Sequence, residues 1–255
     1  MIKIVILLLI LLFLYLINNH NVNENFTNME YDVYFINLDR SKDRYNKIVK
    51  RMKDEKLNYK RWKAVDGSLL DLDDLKKKNI ITKDNKMIKG AIGCSLSHIS
   101  LWKNALKERK NIIVLEDDVL IEKNFKKKLN KYLEQLPNNW DILYLGASNI
   151  NGKKYSKNLL KPNKMKNKNS THNTGMYGML INKRYLKKLI KNNEPIGGNI
   201  DKIIKNKLFD NSQIYICNPP IILHDNNVPS MRRVLSNKSA TTSWFSDIQN
   251  KVVIN

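Results

Sequence analysis

What the 255-residue sequence lacks already excludes several classes of protein. It has only two cysteines, Cys94 and Cys217, which excludes a small fold stapled by disulfides; the pair could form one bond or none. It has only one long apolar run, which excludes a polytopic membrane protein. It contains no internal repeat. Hydrophobic residues make up 42% and charged residues 27%, proportions that exclude wholesale disorder and are ordinary for a globular chain.

Acidic residues are scarce relative to basic ones. The chain has 24 Asp and Glu against 46 Lys and Arg, and therefore a formal net charge of +22. Such a balance is typical of nucleic-acid-binding proteins, but the lysines are spread along the chain and no basic stripe alternates with aromatic residues. We therefore expect no nucleic-acid partner. The charge indicates a solvated cationic surface or, alternatively, one that attracts an anionic substrate or a membrane.

The single apolar run lies at the N-terminus. Residues 4–17 are apolar without interruption, and Lys3 precedes them. No small-residue cleavage site follows, so we predict an uncleaved signal anchor that contacts the membrane through residues 1–17. The positive-inside rule then leaves the N-terminus cytosolic and predicts a single-pass type II protein with a lumenal body. The alternative is a cleaved signal and a protein of the secretory-pathway lumen.

The remainder of the chain is predicted to form one domain. Residues 1–30 comprise the anchor and a short polar stalk, and residues 31–255 comprise the body. Sequons for N-glycosylation at Asn25, Asn169 and Asn237 support lumenal exposure weakly, because Asn is abundant in this chain.

The body alternates strand-like and helix-like segments. Apolar or alternating runs predict strands at residues 31–38, 59–65, 111–115, 141–145, 176–181 and 213–217. Apolar positions at helical spacing predict helices around residues 45–52, 95–106, 125–136, 184–190 and 199–208. The polar stretch 147–174 is predicted to be a long loop. This order predicts an α/β sandwich around a mostly parallel sheet.

Three adjacent acids follow one of these short apolar strands. Glu116, Asp117 and Asp118 come directly after the run NIIVL at residues 111–115. In open α/β sheets, ligands bind beyond the carboxyl ends of the strands. Neighbouring carboxylates repel one another unless a cation is present, and carboxylate oxygens suit Mg²⁺ or Mn²⁺. The cluster therefore predicts a metal site that bridges to a diphosphate; a solvated acidic turn that caps the next helix is the alternative.

The order of several short motifs resembles glycosyltransferase family 25, which groups bacterial lipooligosaccharide galactosyltransferases with procollagen galactosyltransferases. The resemblance extends from about residue 31 to residue 230. Its motifs, in chain order, are INLDRSKDR at 36–44, AVDG at 64–67, GCSLSH at 93–98, LEDD at 115–118, DILYLG at 141–146, TGMYG at 174–178 and a lone acid at Asp201.

The resemblance implies a GT-A-like three-layer α/β/α sandwich and transfer of a sugar from a nucleotide donor. The implied donor is a UDP-sugar, most simply UDP-galactose, and the implied transfer is inverting. Asp118 is the first candidate for a ligand of Mn²⁺ (or Mg²⁺), and His224 is the second because a late His often completes the metal site in this fold. For each, a structural role is the alternative.

The remaining site residues are assigned to the donor and to the chemistry. Asp201 is the candidate general base that deprotonates the acceptor hydroxyl, with a helix N-terminal acid as the alternative. The cations Arg40 and Arg44 are placed to meet phosphate. The nucleotide-sugar is further assigned Asp39, Asp66, Glu116 and Asp117, although Asp66 with the following glycine is also a plain turn signal.

The sequence thus predicts a metal-dependent inverting glycosyltransferase that moves a hexose, expected to be galactose, to a glycan or a hydroxylysine-type protein acceptor. Transfer of glucose or another hexose on the same fold is one alternative. A non-catalytic glycan-binding relative is another, and the intact acidic cluster disfavours it.

Overall fold

Nine strands form the central sheet of the protein in a computed structural model that describes residues 6–15, 29–163, 172–225, 227 and 253–254. In chain order the strands of both sheets are β1 (Tyr31–Asn37), β2 (Lys60–Lys63), β3 (Asn111–Glu116), β4 (Val119–Ile121), β5 (Ile142–Tyr144), β6 (Asn151–Lys154), β7 (Leu159–Pro162), β8 (Gly178–Ile181), β9 (Ile214–Cys217), β10 (Ile222–His224) and β11 (Val253–Ile254). The central sheet has the order β11-β6-β7-β9-β5-β8-β3-β1-β2.

The central sheet is mixed but mostly parallel. Strand β1 pairs in parallel with β2 and β3, and β5 pairs in parallel with β9. Strand β8 runs antiparallel to both of its neighbours, β3 and β5, and β7 likewise opposes β6 and β9. All the other described strands of this sheet therefore point one way, which confirms the predicted α/β class with a mostly parallel sheet.

Helices cover both faces of the sheet. They are α1 (Lys42–Asp54), α2 (Leu72–Lys77), α3 (Lys89–Glu108), α4 (Phe125–Leu133), α5 (Leu186–Asn193) and α6 (Ile200–Leu208). Because successive side chains of a strand point to opposite faces, Val33 and Phe35 of β1 join one core and Tyr34 and Ile36 the other. Helices α1 and α4 contribute to the first core, and α3, α5 and α6 to the second. The predicted three-layer α/β/α sandwich is confirmed.

A second, two-stranded sheet brings the end of the described chain back to the acidic cluster. Strand β4 begins directly after the three acids, and β10 pairs with it antiparallel. In this register His224 lies opposite Val119, the residue after Asp118. The amide of Asp225 then donates a hydrogen bond of 2.7 Å to the carbonyl of Asp118. This small sheet was not predicted, because three-residue strands carry too little periodicity to be recognised.

The polar stretch predicted as one long loop contains structure. Strands β6 and β7 pair antiparallel within it, with Gly152 opposite Pro162, so the loop prediction is wrong for these residues. Two lysines end β6 and one lies in β7, and this polarity hid the alternation that marks a strand. Helix α2 was also missed; Asp71 caps it by accepting hydrogen bonds from the amides of Asp73 and Asp74.

The predicted single-pass type II membrane anchor is wrong. Among the residues that the structure describes, no helix has the length and apolar character needed to cross a bilayer. Residues 6–15 are helical, and ten residues rise about 15 Å at 1.5 Å each, half of a hydrocarbon core of about 30 Å. Residues 16–28, which include most of the predicted stalk and any cleavage point, lie outside the described residues, as do the sequons at Asn25, Asn169 and Asn237.

Candidate functional site

A cleft of about 980 Å³ opens at the carboxyl ends of β1 and β3. Its walls come from the turn after β2, from α3, from the segments before β8 and α6, and from β10. This is the edge at which open α/β sheets bind ligands. The structure brings seven of the nine predicted site residues to its lining: Arg40, Arg44, Glu116, Asp117, Asp118, Asp201 and His224.

The other two predicted residues do not line the cleft. Asp39 is half exposed and pairs with Lys63 at 2.7 Å and Arg61 at 2.5 Å, and these cations lower its pKa to about 2. Asp66 begins a short 3-10 turn, where its carboxylate accepts hydrogen bonds from the amide and hydroxyl of Ser68 and pairs with Arg40. The structure therefore places Asp66 in the turn that was its alternative interpretation.

Arg44 holds two of the three acids together. Its guanidinium lies 2.7 Å from Oδ1 of Asp117 and 2.5 Å from Oδ2 of Asp118. Asn37, the last residue of β1, donates from Nδ2 to Oδ2 of Asp117 at 2.7 Å. Arg44 lies in the first turn of α1, which follows β1 after a short turn, so the strand and the helix after it both reach the acids that end β3. A charge-assisted, two-pronged contact of this kind fixes both carboxylates in position.

Asp117 is the acid whose ionisation the fold perturbs most clearly. Its side chain is 7% exposed. Burial raises its pKa to about 6, with a further contribution from the charges of Asp118 and Glu116, and the guanidinium of Arg44 opposes this rise. A buried carboxyl beside two other acids is an electrostatic setting that favours an added cation.

His224 and Asp118 face each other across the small second sheet. Nε2 of His224 lies 3.5 Å from Oδ2 of Asp118, and the ring packs edge-on against Tyr177 with a centroid distance of 6.0 Å. The side chain of His224 is 14% exposed and lines the cleft. An imidazole nitrogen and a carboxylate oxygen at this separation can bind one divalent cation together, so the pair fits the predicted metal site.

An ion pair behind this site clamps the two strands that carry it. Arg51 of α1 donates to the carbonyl of Val119 at 2.8 Å and to Oδ2 of Asp225 at 2.5 Å. Burial alone would raise the pKa of Asp225, but Arg51 and the amide of Asn227 hold it below its usual range. Because Val119 follows Asp118 and Asp225 follows His224, one guanidinium fixes the backbone beside both candidate ligands.

Asp201 enters the cleft from the first turn of α6. Its Oδ2 accepts a hydrogen bond of 3.3 Å from the backbone amide of Gly175, and its Oδ1 accepts one of 2.8 Å from the backbone amide of Lys202. Gly175 has a φ of +96°, a backbone conformation that side chains other than hydrogen rarely permit. The glycine thus lets the segment before β8 turn its amide towards the predicted base.

A second group of ligand-type side chains lies on the α3 side of the cleft. His98, 1% exposed, directs Nε2 at Oε1 of Glu116 from 3.4 Å, and Sγ of Cys94 lies 4.0 Å from the same oxygen. Helix α3 is held close to the turn after β2, because a Cβ on Gly93 would lie 2.7 Å from the carbonyl of Val65. Neither cysteine is part of a disulfide.

Sequence reasoning missed three residues that shape this site. Asn37, Arg51 and Asp225 contact the acids or the strands that carry them, but none was assigned a role. A signal existed for two of them: Asn37 ends an apolar strand, and Asp225 directly follows the apolar run at 221–223. Nothing in the sequence distinguishes Arg51 from the other basic residues of its helix.

Comparison with known proteins agrees with the motifs. The family model for glycosyltransferase family 25 (LPS biosynthesis protein) matches residues 30–204. Procollagen galactosyltransferase 2 of Homo sapiens is 33% identical over 138 residues, which are 49% of this chain and 22% of that protein. The procollagen lysyl hydroxylase and glycosyltransferase of Acanthamoeba polyphaga mimivirus is 32% identical over 154 residues, covering 51% and 17%.

Some relatives carry names that deny activity. The probable inactive glycosyltransferase 25 family member 3 of Rattus norvegicus is 30% identical over 132 residues, 47% of this chain and 23% of that protein. The chain thus spans about a fifth of the length of these curated relatives. Since the family model covers well over half of the sequence and includes strands β1 to β8, the three acids and Asp201, the chain belongs to glycosyltransferase family 25.

Proposed function

We propose that this protein is an active glycosyltransferase that moves a hexose, galactose in the first instance, from a UDP-sugar to a hydroxyl of a glycan or protein acceptor. We further propose that the transfer inverts the anomeric centre and depends on Mn²⁺ or Mg²⁺. The galactosyl assignment rests on the procollagen galactosyltransferases among the relatives. A hydroxylated lysine as acceptor rests on the same names, and a lipooligosaccharide glycan rests on the family description.

One observation carries the proposal. A cation, acids, an imidazole and a separate carboxylate converge on a single cleft from four different parts of the chain: Arg44, the acids at 116–118, His224 and Asp201. Sugar transfer from a nucleotide needs all of these chemistries, because the leaving diphosphate is anionic and the attacking hydroxyl must lose a proton. A cleft built only to bind a glycan would not need a buried acid pair.

The residues fit a divalent cation. Asp118 and His224 would hold it, and Glu116 and Asp117 stand beside them to contact the cation or the ribose of the donor. When bound, a divalent cation neutralises the negative charge that develops on the leaving diphosphate. Arg44 compensates the charges of Asp117 and Asp118, so these acids can be buried before any cation arrives.

The protein's own groups account for the other needs of the transfer. Arg40 and Arg44 line the cleft and supply fixed positive charge for the diphosphate. The carboxylate of Asp201 takes the proton of the acceptor hydroxyl as its oxygen attacks the anomeric carbon, and the bond from that carbon to the diphosphate oxygen breaks. A single displacement of this kind inverts the anomeric configuration and needs only one base.

The test measures UDP release from a panel of UDP-sugars by the full chain, with and without Mn²⁺. We expect UDP-galactose to be hydrolysed faster than UDP-glucose, and only when Mn²⁺ is present. Asp54→Asn, which removes an exposed acid paired with Lys50, is the matched control and should behave like the parent. Release of UDP that is unaffected by a chelator would contradict the metal assignment.

A second measurement separates the enzyme from a non-catalytic relative. Isothermal titration with UDP and Mn²⁺ reports binding whether or not transfer occurs. UDP binding without hydrolysis of any donor would favour the glycan-binding alternative that the inactive relatives suggest. Asp201→Asn should keep UDP binding and lower kcat by about 10²–10⁴-fold; loss of folding in this variant would make Asp201 a structural residue.

A further inference from the structure

Three side chains of different chemistry meet beside the acidic cluster. Cys94 and His98 lie one helical turn apart on α3, and Glu116 ends β3. Their ligand atoms, Sγ, Nε2 and a carboxylate oxygen, all lie within 4.8 Å of one another. The spacing of four residues puts the thiol and the imidazole on one face of the helix, and that face is turned towards the strand end.

A thiol, an imidazole and a carboxylate form a ligand set that suits zinc. Ligand atoms bound to a tetrahedral zinc ion at about 2.0–2.3 Å lie roughly 3.3–3.8 Å apart. The separations here are 3.4 Å between Nε2 of His98 and Oε1 of Glu116, and 4.0 Å between Sγ of Cys94 and that oxygen. The third pair, Sγ of Cys94 and Nε2 of His98, lies within 4.8 Å. Movement of the Cys94 side chain towards the other two ligands closes the set around one ion.

The surroundings make this group a formed site with one open side. His98 is 1% exposed, so its ring is held by packing, and α3 is pinned against the turn after β2 at Gly93. Ser97, between the two ligands in sequence, accepts a hydrogen bond of 2.8 Å from the amide of Val65. All three ligand residues line the cleft, so solvent or a substrate atom can occupy the fourth position.

We propose that Cys94, His98 and Glu116 bind a thiophilic divalent cation, Zn²⁺ in the first instance, at a site separate from Asp118 and His224. Binding forms a sulfur–zinc bond, and the proton of the Cys94 thiol leaves to solvent. The soft sulfur ligand selects Zn²⁺ over Mn²⁺. Zn²⁺ bound here takes Glu116 away from the nucleotide-sugar. On the basis of the proposed function, Zn²⁺ therefore inhibits the Mn²⁺-supported transfer.

Cobalt(II) is the probe, because a thiolate ligand gives it a charge-transfer absorption in the near ultraviolet. We expect the full chain to bind Co²⁺ with this band, and one equivalent of Zn²⁺ to abolish it. Cys94→Ser should lose the band and weaken Zn²⁺ binding in a calorimeter at least tenfold. The matched control is Cys217→Ala, which removes the other cysteine, buried in the opposite core, and should keep the band.

Two further variants keep the test decisive. Glu116→Gln should keep the thiolate band but weaken Zn²⁺ binding, and it replaces Cys94→Ser if circular dichroism shows that the latter is unfolded. His224→Ala should leave both band and Zn²⁺ affinity unchanged, since it belongs to the other site. Absence of the band in the parent, or its loss in Cys217→Ala alone, would overturn the proposal. These readouts need no transfer activity, so they are independent of the proposed function.

Discussion

Two histidines contact the same run of acids, yet the structure gives them different chemistry. His98 lies 3.4 Å from Glu116, and His224 lies 3.5 Å from Asp118. His98 is 1% exposed in the middle of a twenty-residue helix, whereas His224 is 14% exposed at the end of a three-residue strand. The two histidines are thus almost equally far from a carboxylate, but they differ in burial and in the side chains around them.

This difference indicates that the kind of cation a histidine can bind depends on the side chains around it. His98 is accompanied by a thiol, which favours a soft cation, and its helix keeps the set rigid. His224 lies beside carboxylates, which suit a hard cation, and near the guanidinium of Arg44, which suits a phosphate. Substitutions at the two histidines and at the acids they face should therefore have different effects.

The acids that face the two histidines should differ in importance for transfer. Asp118→Asn removes a charge that faces His224, and we expect donor hydrolysis to fall by about 10²–10³-fold. UDP binding should weaken only when Mn²⁺ is present, as measured by titration. Glu116→Gln, on the His98 side, should lower hydrolysis less. Equal losses in the two variants would remove the distinction between the sites.

The histidines themselves should separate metal binding from stability. His224→Ala is expected to weaken Mn²⁺ binding about 10–100-fold, measured by electron paramagnetic resonance, with little change in melting temperature. His98→Ala should instead lower the free energy of unfolding by about 2–3 kcal/mol, because it empties a buried position. A His98 variant of unchanged stability that lost Mn²⁺ binding would reverse the assignment.

Asp117 lies between Glu116 and Asp118, the acids that face the two histidines. It should make the free energy of unfolding fall as the pH rises. Its pKa is about 6 in the folded chain against 3.8 for an exposed carboxyl, so the folded state binds the proton more tightly. Its stabilising contribution is present at low pH and is lost between about pH 4 and pH 6. Relative to Asp117→Asn, the metal-free parent should lose about 3 kcal/mol of unfolding free energy across that interval. Urea titrations at several pH values measure this difference.

The contacts of Arg51 with Val119 and Asp225 should affect the reaction only by positioning Asp118 and His224. Arg51→Met frees the backbone beside Asp118 and His224, and we expect about tenfold weaker Mn²⁺ binding and a raised KM for the donor, with kcat little changed. Arg51→Lys should recover part of the loss, since it can still pair with Asp225. Lys50→Met, at the exposed neighbouring position, is the control. A fall in kcat alone would contradict a positioning role.

Much of the fold could be predicted because strong local patterns carried it. The run at 112–115 has no polar residue, and Ile48 and Met52 recur at helical spacing, so β3 and α1 were recognised. Strands β6 and β7 were not, because lysines interrupt their alternation and pairing with each other, with β9 and with β11 stabilises them. The predicted anchor is wrong, since none of the helices that the structure describes is long and apolar enough to cross a bilayer.

The site could be predicted only where a motif lies on one segment. The three acids after β3 are contiguous, so they were found together. The contact of Asp118 with His224 depends on β10 returning to pair with β4, a long-range register that no local pattern encodes. Asp39 does not line the cleft, because it pairs with Arg61 and Lys63 of β2, and these long-range pairs carry no local pattern either.

The reversed strand β8 decides which loop reaches the cleft. Because β8 opposes β3, its first residue, Gly178, pairs with Leu115 at the end of β3, and the segment that leads into it arrives at the mouth of the cleft. That segment includes Gly175, whose amide reaches Asp201, and Tyr177, whose ring packs against His224. One inverted strand thus lets a single loop contact both the predicted base and a predicted metal ligand.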